Sequence, residues 1–282
     1  MTGFPSNRAA QARVAYVTLV TSDDYATGAA ALIRSLALSG TSADIVVMHT
    51  GGVAGDRLDG LAALGARLVE VDLLPTSDAF NRAHAREVLH RVAPFDKGDK
   101  PPLHTPLDNF TKLRLWQLTD YSAVTFIDAD ALVLRNVDKL FRYPEFCAAP
   151  NVYESLADFH RMNSGVFTAR PNPATFDAMF ARLDAPGAFW RRTDQTFLQG
   201  FFPDWHGLPV TCNLLQYVWF NMPELWNWNT AKVLHFQYEK PWQDHGKRAR
   251  LKPLIDLWRH IADGGAMPDL STFPGPGACE SP

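Results

Sequence analysis

The sequence contains no apolar run close to the ~20 residues that a membrane-spanning helix requires. Its first residues, MTGFPSNRAAQAR, lack the apolar centre of a signal peptide. The three cysteines, Cys147, Cys212 and Cys279, are odd in number and share no metal-ligand spacing, which favours free thiols over a disulfide framework. A net charge of -3 gives no positive excess to attract nucleic acid or an anionic membrane surface. These absences predict a soluble cytoplasmic protein with no membrane span and no nucleic-acid partner.

What is present is an ordinary globular composition, with 46% hydrophobic and 20% charged residues in a chain of 282. Near-continuous apolar runs such as VAYVTLV and ADIVVMH alternate with amphipathic stretches such as YATGAAALIRSLALSG and DRLDGLAALG. Strands that are apolar on both faces and alternate with helices indicate a parallel sheet covered on both sides. We therefore predict an α/β fold with a mostly parallel central sheet flanked by helices.

The predicted domain limits follow from breaks in this alternation. Residues 1–13 are predicted to be a flexible arm, 14–265 the folded domain and 266–282 a flexible tail. Within the domain, residues 74–107 contain RVAPFDKGDKPPLHTP, whose proline, glycine and charge content predicts a mobile excursion. The helix NFTKLRLWQL, capped by Asp108, is expected to follow it.

Two aspartates end the apolar strand VTFIDADAL. Residues two apart in a strand face the same side, so Asp128 and Asp130 are predicted to chelate one cation. Carboxylate oxygens suit Mg²⁺ or Mn²⁺, and the ends of parallel strands are where α/β sheets bind ligands. The alternative is a solvated strand end, since Asp-x-Asp alone is common.

A histidine and two lysines extend this constellation. His235 closes a predicted late strand in AKVLHFQYEKPW, and as a third ligand it favours Mn²⁺ over Mg²⁺. Lys240 and Lys112 would add positive charge for a phosphate-bearing leaving group. Taken alone, His235 also fits a core histidine.

Two further polar motifs have both a functional and a structural interpretation. NSGV places Asn163 and Ser164 before a predicted strand, where they either bind hydroxyl groups or form a simple turn. Asp194 and Gln195 begin a predicted helix, either as site residues or as a helix N-cap. Seven of the eight tryptophans lie beyond residue 189, where they either stack on sugars or pack the core.

Five motifs in order resemble family 8 glycosyltransferases, and among them most closely glycogenin and galactinol synthase. They are TLVTSDDYATGAAALIRSL, FTKLRLWQLTDYSAVTFIDADALVLRNVDKLF, MNSGVF, DQTFLQ and HFQYEKPW, which together run from about Val14 to Trp242. The resemblance implies a GT-A fold, a UDP-sugar donor and a reaction that retains anomeric configuration.

The resemblance also assigns roles to individual residues. It implies that Asp128, Asp130 and His235 bind Mn²⁺, with Ala129 between the aspartates also at the donor. The residues that it places on the donor are Leu19, Thr21, Asp23, Tyr25, Lys112, Asn163, Ser164 and Lys240. Asp194 and Gln195 match the pair near the anomeric carbon, and Asn213 matches a residue facing the acceptor. Retention then proceeds either through a transient nucleophile or by same-face attack.

The chain departs from the family pattern at two places. The closing motif usually reads His-x-x-Gly-x-x-Lys-Pro-Trp, whereas HFQYEKPW is one residue shorter and has Tyr238 in place of the glycine. Arg191 and Arg192 precede Asp194, where they either bind an acidic acceptor or face solvent.

We therefore predict a Mn²⁺-dependent retaining hexosyltransferase that uses UDP-glucose or UDP-galactose and a carbohydrate or small-molecule acceptor. The main alternative is a self-glycosylating primer protein, with Tyr217 in the region of the acceptor tyrosine. A phosphatase with an Asp-x-Asp motif and a nucleotide-sugar scaffold without turnover are weaker alternatives. For the quaternary state, the resemblance is compatible with a monomer or a homodimer.

Overall fold

The computed structural model describes residues 13–84, 108–153, 155–183, 185 and 194–276. In this part of the chain, a seven-stranded sheet has the order β3-β2-β1-β4-β7-β6-β8, and a three-stranded sheet has the order β5-β10-β9. The strands are β1 (Val14–Val20), β2 (Asp44–His49), β3 (Arg67–Glu70), β4 (Ala123–Ile127), β5 (Ala131–Val133), β6 (Cys147–Pro150), β7 (Met162–Ala169), β8 (His206–Gly207), β9 (Leu214–Leu215) and β10 (Val233–His235).

The seven-stranded sheet is mostly parallel, which confirms the predicted fold class. Strands β1 to β4 pair in parallel, and β7 is inserted antiparallel between β4 and β6. Helices flank the sheets. They are α1 (Asp23–Leu38), α2 (Gly55–Ala63), α3 (Asp78–Ala83), α4 (Pro173–Leu183), α5 (Asp194–Phe201), α6 (Val218–Asn221) and α7 (Lys252–Ala262).

Helix α1 packs against β1 of the large sheet and β5 of the small sheet, and a buried serine bonds it to β5. Ser35 Oγ donates a hydrogen bond to Leu32 O (2.7 Å) within the helix and accepts one from the Val133 N–H of β5 (2.9 Å). Because Ser35 is fully buried, this contact gives a backbone donor of the small sheet a partner that water does not supply. The helix is thereby fixed against both sheets.

The small sheet brings the late part of the chain to the end of β4. Strand β10 runs antiparallel to β5, and its register places His235 opposite Ala131. Since β5 begins immediately after Asp130, this register sets His235 beside the aspartate motif. On the other side, β10 pairs in parallel with β9, and this pairing places His235 opposite Leu215.

One local prediction is confirmed and one was wrong. The helix predicted after Asp108 is present as a 3₁₀ helix over Asp108–Gln117, and six of its ten residues are buried. Asn163 and Ser164 lie inside β7 rather than before it, because Asn163 pairs with Ala149 of β6 beyond a bulge.

Several predicted segments fall partly or wholly outside the described residues. Residues 1–12, 85–107 and 277–282 lie outside them, as do Arg191 and Arg192, so mobility there stays a prediction. Phe80, in the described part of the predicted excursion, packs on Phe110 with ring centroids 5.2 Å apart. Leu270, in the described part of the predicted tail, is buried, so the packed part of the chain extends beyond 265.

Four of the late tryptophans pack in a core cluster beneath the small sheet. They are Trp219, Trp226, Trp228 and Trp258. Core packing is therefore the role that the structure gives these four rings. Among the described helices, none has the length and apolar character needed to cross a bilayer.

Candidate active site

The aspartate motif forms a tight turn at the end of β4. Strand β4 ends at Ile127, and the Ala131 N–H donates back to Asp128 O (3.0 Å). The Asp128 N–H donates to Gly165 O of β7 (2.8 Å), which fixes the turn against the neighbouring strand. The two carboxylates therefore converge because of this turn, and the strand alternation used to predict their convergence was the wrong reason.

His235 completes a group of three ligand atoms that all lie within 4.8 Å of one another. Its Nε2 is 3.1 Å from Asp130 Oδ1 and 3.9 Å from Asp128 Oδ2. Asp130 and His235 are buried, whereas the side chain of Asp128 is 29% exposed and faces the opening. The sequence prediction that these three residues meet is confirmed.

A chain of buried amides determines which ring nitrogen of a neutral His235 carries the proton. His235 Nδ1 donates to Asn213 Oδ1 (2.8 Å), because the Asn213 amide nitrogen is used to donate to Asn163 Oδ1 (2.8 Å). Asn163 Nδ2 in turn donates to Asn151 Oδ1 (3.0 Å). With the proton on Nδ1, the lone pair of Nε2 points at the carboxylates, as a metal ligand requires.

This arrangement fits a divalent cation. Asp130 Oδ1 is buried and lies 3.1 Å from His235 Nε2; when the imidazole is neutral, this oxygen faces the lone pair of Nε2 and accepts no hydrogen bond from a described residue. Two buried acceptor atoms this close repel each other unless a cation lies between them. Burial raises the pKa of Asp128; the Lys112 ammonium opposes this rise and the Asp130 carboxylate adds to it. The net upward shift means that the ionised form of Asp128 is unfavourable here unless a cation compensates its charge. One nitrogen and two carboxylate ligands suit Mn²⁺.

Gly165 is a site residue that the sequence analysis missed. A Cβ atom on Gly165 would lie 2.3 Å from His235 Cε1 and 2.5 Å from Nδ1. The imidazole thus packs directly on the backbone of β7, which only glycine permits here. The glycine of MNSGVF was the available signal. Asn151 was also missed, and Asn213 lies buried beneath His235 rather than facing an acceptor.

Lys112 and Asp194 form a buried pair on one side of the aspartate turn. Lys112 Nζ is 2.9 Å from Asp194 Oδ2 and 3.1 Å from Asp128 Oδ1. Burial alone would lower the pKa of the Lys112 ammonium, but the two carboxylates outweigh it and hold the pKa above its usual value. Ser164 Oγ donates to Asp194 Oδ2 (2.6 Å), so Ser164 contacts the same carboxylate. Gln195 follows, half-buried, in α5.

Lys240 lies on the opposite side of the turn. Its Nζ contacts Asp130 Oδ2 and donates to Phe236 O (2.9 Å). Burial alone would lower the pKa of Lys240 too, but Asp130 outweighs it and the net shift is upward. The ammonium also lies 5.6 Å from the centre of the Tyr25 ring.

The remaining predicted donor residues cluster at the end of β1 and the start of α1. Leu19 and Thr21 lie at that strand end, and Asp23 Oδ1 accepts from the Ala54 N–H (2.7 Å). Tyr25 packs edge-on against Trp242, with centroids 6.2 Å apart. Ala129 is buried inside the aspartate turn. Their contacts with a donor stay predictions.

Tyr238, which replaces the family glycine, has φ of +68°. This left-handed conformation costs a residue with a side chain about 1 kcal/mol, whereas glycine adopts it readily. The shortened motif thus keeps the backbone conformation that a glycine would favour.

Family models and sequence relatives both point to glycosyltransferases. The model described as Glycosyl transferase family 8 matches residues 16–146, and the model described as Nucleotide-diphospho-sugar transferase matches residues 112–251. Glycogenin-1 of Oryctolagus cuniculus is 34% identical over 281 residues, covering 92% of this chain and 78% of that protein. A putative UDP-glucuronate:xylan alpha-glucuronosyltransferase 5 of Arabidopsis thaliana is 30% identical over 240 residues, which is 82% of this chain.

The chain spans only 30% to 48% of the length of the Arabidopsis relatives that it matches. Among solved structures, the galactosyltransferase LgtC in complex with donor and acceptor sugar analogues is similar, with a TM-score of 0.60 and 14% identity. That match covers 90% of this chain and 97% of LgtC, and it shows the GT-A fold. The identity to glycogenin-1 over most of both proteins shows the family: this chain belongs to glycosyltransferase family 8.

Proposed function

We propose that this protein transfers a hexose from a UDP-sugar to a hydroxyl group of a carbohydrate or small-molecule acceptor, with retention of anomeric configuration and with Mn²⁺ bound by Asp128, Asp130 and His235. The observation that carries the proposal is the convergence of the Asp128, Asp130 and His235 ligand atoms within 4.8 Å of one another, flanked by two buried lysines. The names of the relatives support a nucleotide-sugar donor, since the Arabidopsis enzymes are named for UDP-glucuronate and LgtC is a galactosyltransferase.

The charges of the site match the leaving group. Asp128, Asp130 and Asp194 bring three negative charges to two positive ones from Lys112 and Lys240. A bound divalent cation would reverse this balance and supply Lewis-acid stabilisation of a departing diphosphate. Lys240, on the Asp130 side, is placed to neutralise the diphosphate oxygens, and its raised pKa keeps it charged at neutral pH.

Asp194 is the group proposed to face the anomeric carbon. Its Oδ2 is held by Lys112 and Ser164, which fix the carboxylate in one orientation. Gln195 follows it in α5. Two routes to retention remain, a transient bond to this carboxylate or same-face attack, and Asp194 stabilises positive charge at the sugar carbon in both.

The test is UDP release from a panel of UDP-glucose, UDP-galactose and UDP-glucuronate, with Mn²⁺ and with chelator. We expect slow Mn²⁺-dependent release from one donor, lost in Asp130→Asn and retained in Asp256→Asn, an exposed carboxylate paired with Lys252. If no donor is cleaved and UDP does not bind in the presence of Mn²⁺, the proposal is wrong.

The same samples test self-glycosylation by intact mass. Tyr217, the tyrosine predicted for that role, is 1% exposed, and its hydroxyl donates to Glu239 Oε2 (2.6 Å). Burial and the Glu239 carboxylate raise its pKa, so the phenol does not offer a nucleophilic oxygen to the site. We therefore expect no mass increase on Tyr217.

A further inference from the structure

Glu239, which is not one of the proposed metal ligands, is a buried carboxylate next to the site that accepts hydrogen bonds from three side chains. Glu239 is 4% exposed, and its Oε1 accepts from Lys247 Nζ (2.6 Å). Its Oε2 accepts from the Tyr217 hydroxyl (2.6 Å) and from Gln216 Nε2 (3.1 Å). We call these four side chains the Glu239 clamp. A buried carboxylate with three donors is well compensated, so removing it leaves those donors without their acceptor.

The clamp acts on the segment that carries Lys240. Glu239 lies between Tyr238, with its left-handed backbone, and Lys240, whose ammonium reaches Asp130. Gln216 Nε2 also donates to the carbonyls of Gln237 (2.8 Å) and Glu239 (3.3 Å), which lie on either side of Tyr238. The backbone is therefore held on both sides of Tyr238, whose left-handed conformation is unfavourable for a residue with a side chain.

The ion pair with Lys247 also directs charge away from Lys240. The Glu239 carboxylate is the charge nearest to Lys240 along the sequence, and a free carboxylate there would compete with the nucleotide for the ammonium. Because Lys247 and Tyr217 hold it, Lys240 donates to Phe236 O and Asp130 instead.

We propose that the Glu239 clamp is a positioning device that holds Tyr238 in the left-handed conformation and thereby directs Lys240 at the diphosphate of the bound nucleotide. A glycine at this position would adopt the left-handed conformation without such support. That Lys240 faces a nucleotide diphosphate rests on the proposed function, whereas the effect of Glu239 on the backbone of Tyr238 does not.

A double-mutant cycle tests the proposal by calorimetric titration of UDP in the presence of Mn²⁺. We expect Glu239→Ala to weaken UDP binding by about 10- to 100-fold, the range for residues that orient ligating groups. Tyr238→Gly alone should change the affinity for UDP by less than about threefold. Adding Glu239→Ala to Tyr238→Gly should weaken UDP binding by less than about threefold, because glycine adopts the left-handed conformation without the clamp. Asp256→Ala, which removes another lysine-paired carboxylate, is the control and should have no effect.

Uridine separates positioning from general damage. Uridine lacks the diphosphate, so its binding should be the same in the wild type and in Glu239→Ala. If Glu239→Ala does not fold, Glu239→Gln replaces it, since the amide oxygen still accepts from Tyr217 while the ion pair with Lys247 is lost. Equal losses with uridine and UDP, or a full loss in the Tyr238→Gly background, would overturn the proposal.

A second readout needs no ligand. Amide hydrogen exchange of a peptide covering 236–240 should be about tenfold faster in Glu239→Ala than in wild type, with no change in Asp256→Ala. If wild-type protein binds no UDP, the proposed function fails while this exchange measurement still decides on the clamp. Unchanged exchange in Glu239→Ala would show that Glu239 does not hold this segment.

Discussion

The clearest test of the metal site is to add one methyl group to Gly165. The Cβ of Gly165→Ala would lie 2.3 Å from His235 Cε1, whereas carbon atoms in contact are separated by about 3.5 Å or more. The ring must therefore retreat by about 1.2 Å. Backbone relief is limited because β7 lies between β4 and β6, both paired with it.

A shift of this size is large on the scale of metal coordination, where ligand distances hold within about 0.2 Å. It would also strain the hydrogen bond from His235 Nδ1 to Asn213. We expect Mn²⁺ affinity to fall by about 10- to 100-fold, or about 1.4–2.8 kcal/mol, as when groups that orient a ligating histidine are lost. Overpacking should lower the free energy of unfolding by about 1–3 kcal/mol.

The assay is Mn²⁺ titration by electron paramagnetic resonance, with urea denaturation of the same samples. Gly207→Ala is the matched control, because a Cβ on that strand glycine has its nearest neighbour, in Trp205, at 4.0 Å. Its Mn²⁺ affinity should equal that of wild type. If Gly165→Ala binds Mn²⁺ as tightly as Gly207→Ala, the imidazole does not need the backbone of β7, and the account of the site is wrong.

Three further predictions concern stability. Lys240→Met should cost about 3 kcal/mol by leaving the Asp130 carboxylate buried without its ammonium, and Mn²⁺ should restore part of the loss; the exposed Lys252→Met should cost under about 1 kcal/mol in the same urea titrations. Ser35→Ala should cost about 1–3 kcal/mol because a buried N–H of β5 loses its acceptor, and an equal cost in the more exposed Ser39→Ala would contradict this. Burial raises the pKa of Asp138, but hydrogen bonds from Thr41, Tyr16 and Asn136 outweigh it and lower the pKa overall. Its stabilisation is therefore present above the unfolded pKa of about 3.9 and lost as the pH falls through the lower folded value. Asp138→Asn should cost roughly 1 kcal/mol at pH 7, and the cost should fall progressively as the pH is lowered below about 3.9.

The sequence predicted the candidate metal group because its members lie at strand ends, where an apolar run gives way to charged or polar residues. Asp128 and Asp130 follow an apolar strand, and His235 ends another. Their meeting depends on the antiparallel pairing of β5 with β10, which no local pattern indicates and for which the family resemblance substituted.

The supporting residues were less predictable. Asn151 and Asn213 belong to different elements and interact only through Asn163, so their shared role depends on tertiary structure alone. Gly165 had a local signal, but the reason for a glycine is the ring of a residue far along the chain. The helix after Asp108 was predicted, but its 3₁₀ winding over Asp108–Gln117 has no signal in the sequence pattern that was used.

The pairing of β5 with β10 has a consequence for how the protein unfolds. Two of the proposed cation ligands lie in the turn that leads into β5, and the third, His235, ends its partner β10, so a bound cation would cross-link the middle of the chain to its late part. A ligand that binds only the native state raises the free energy of unfolding by RT ln(1 + [L]/Kd). Here that stabilisation would oppose separation of the two sheets. Without ligand, the two sheets are joined by a shared core, in which Val133 and Val233 of the small sheet pack in one cluster with Ile127 of the large sheet. A bound cation would add to this connection, so we expect nucleotide and metal to raise the cooperativity of unfolding as well as its midpoint.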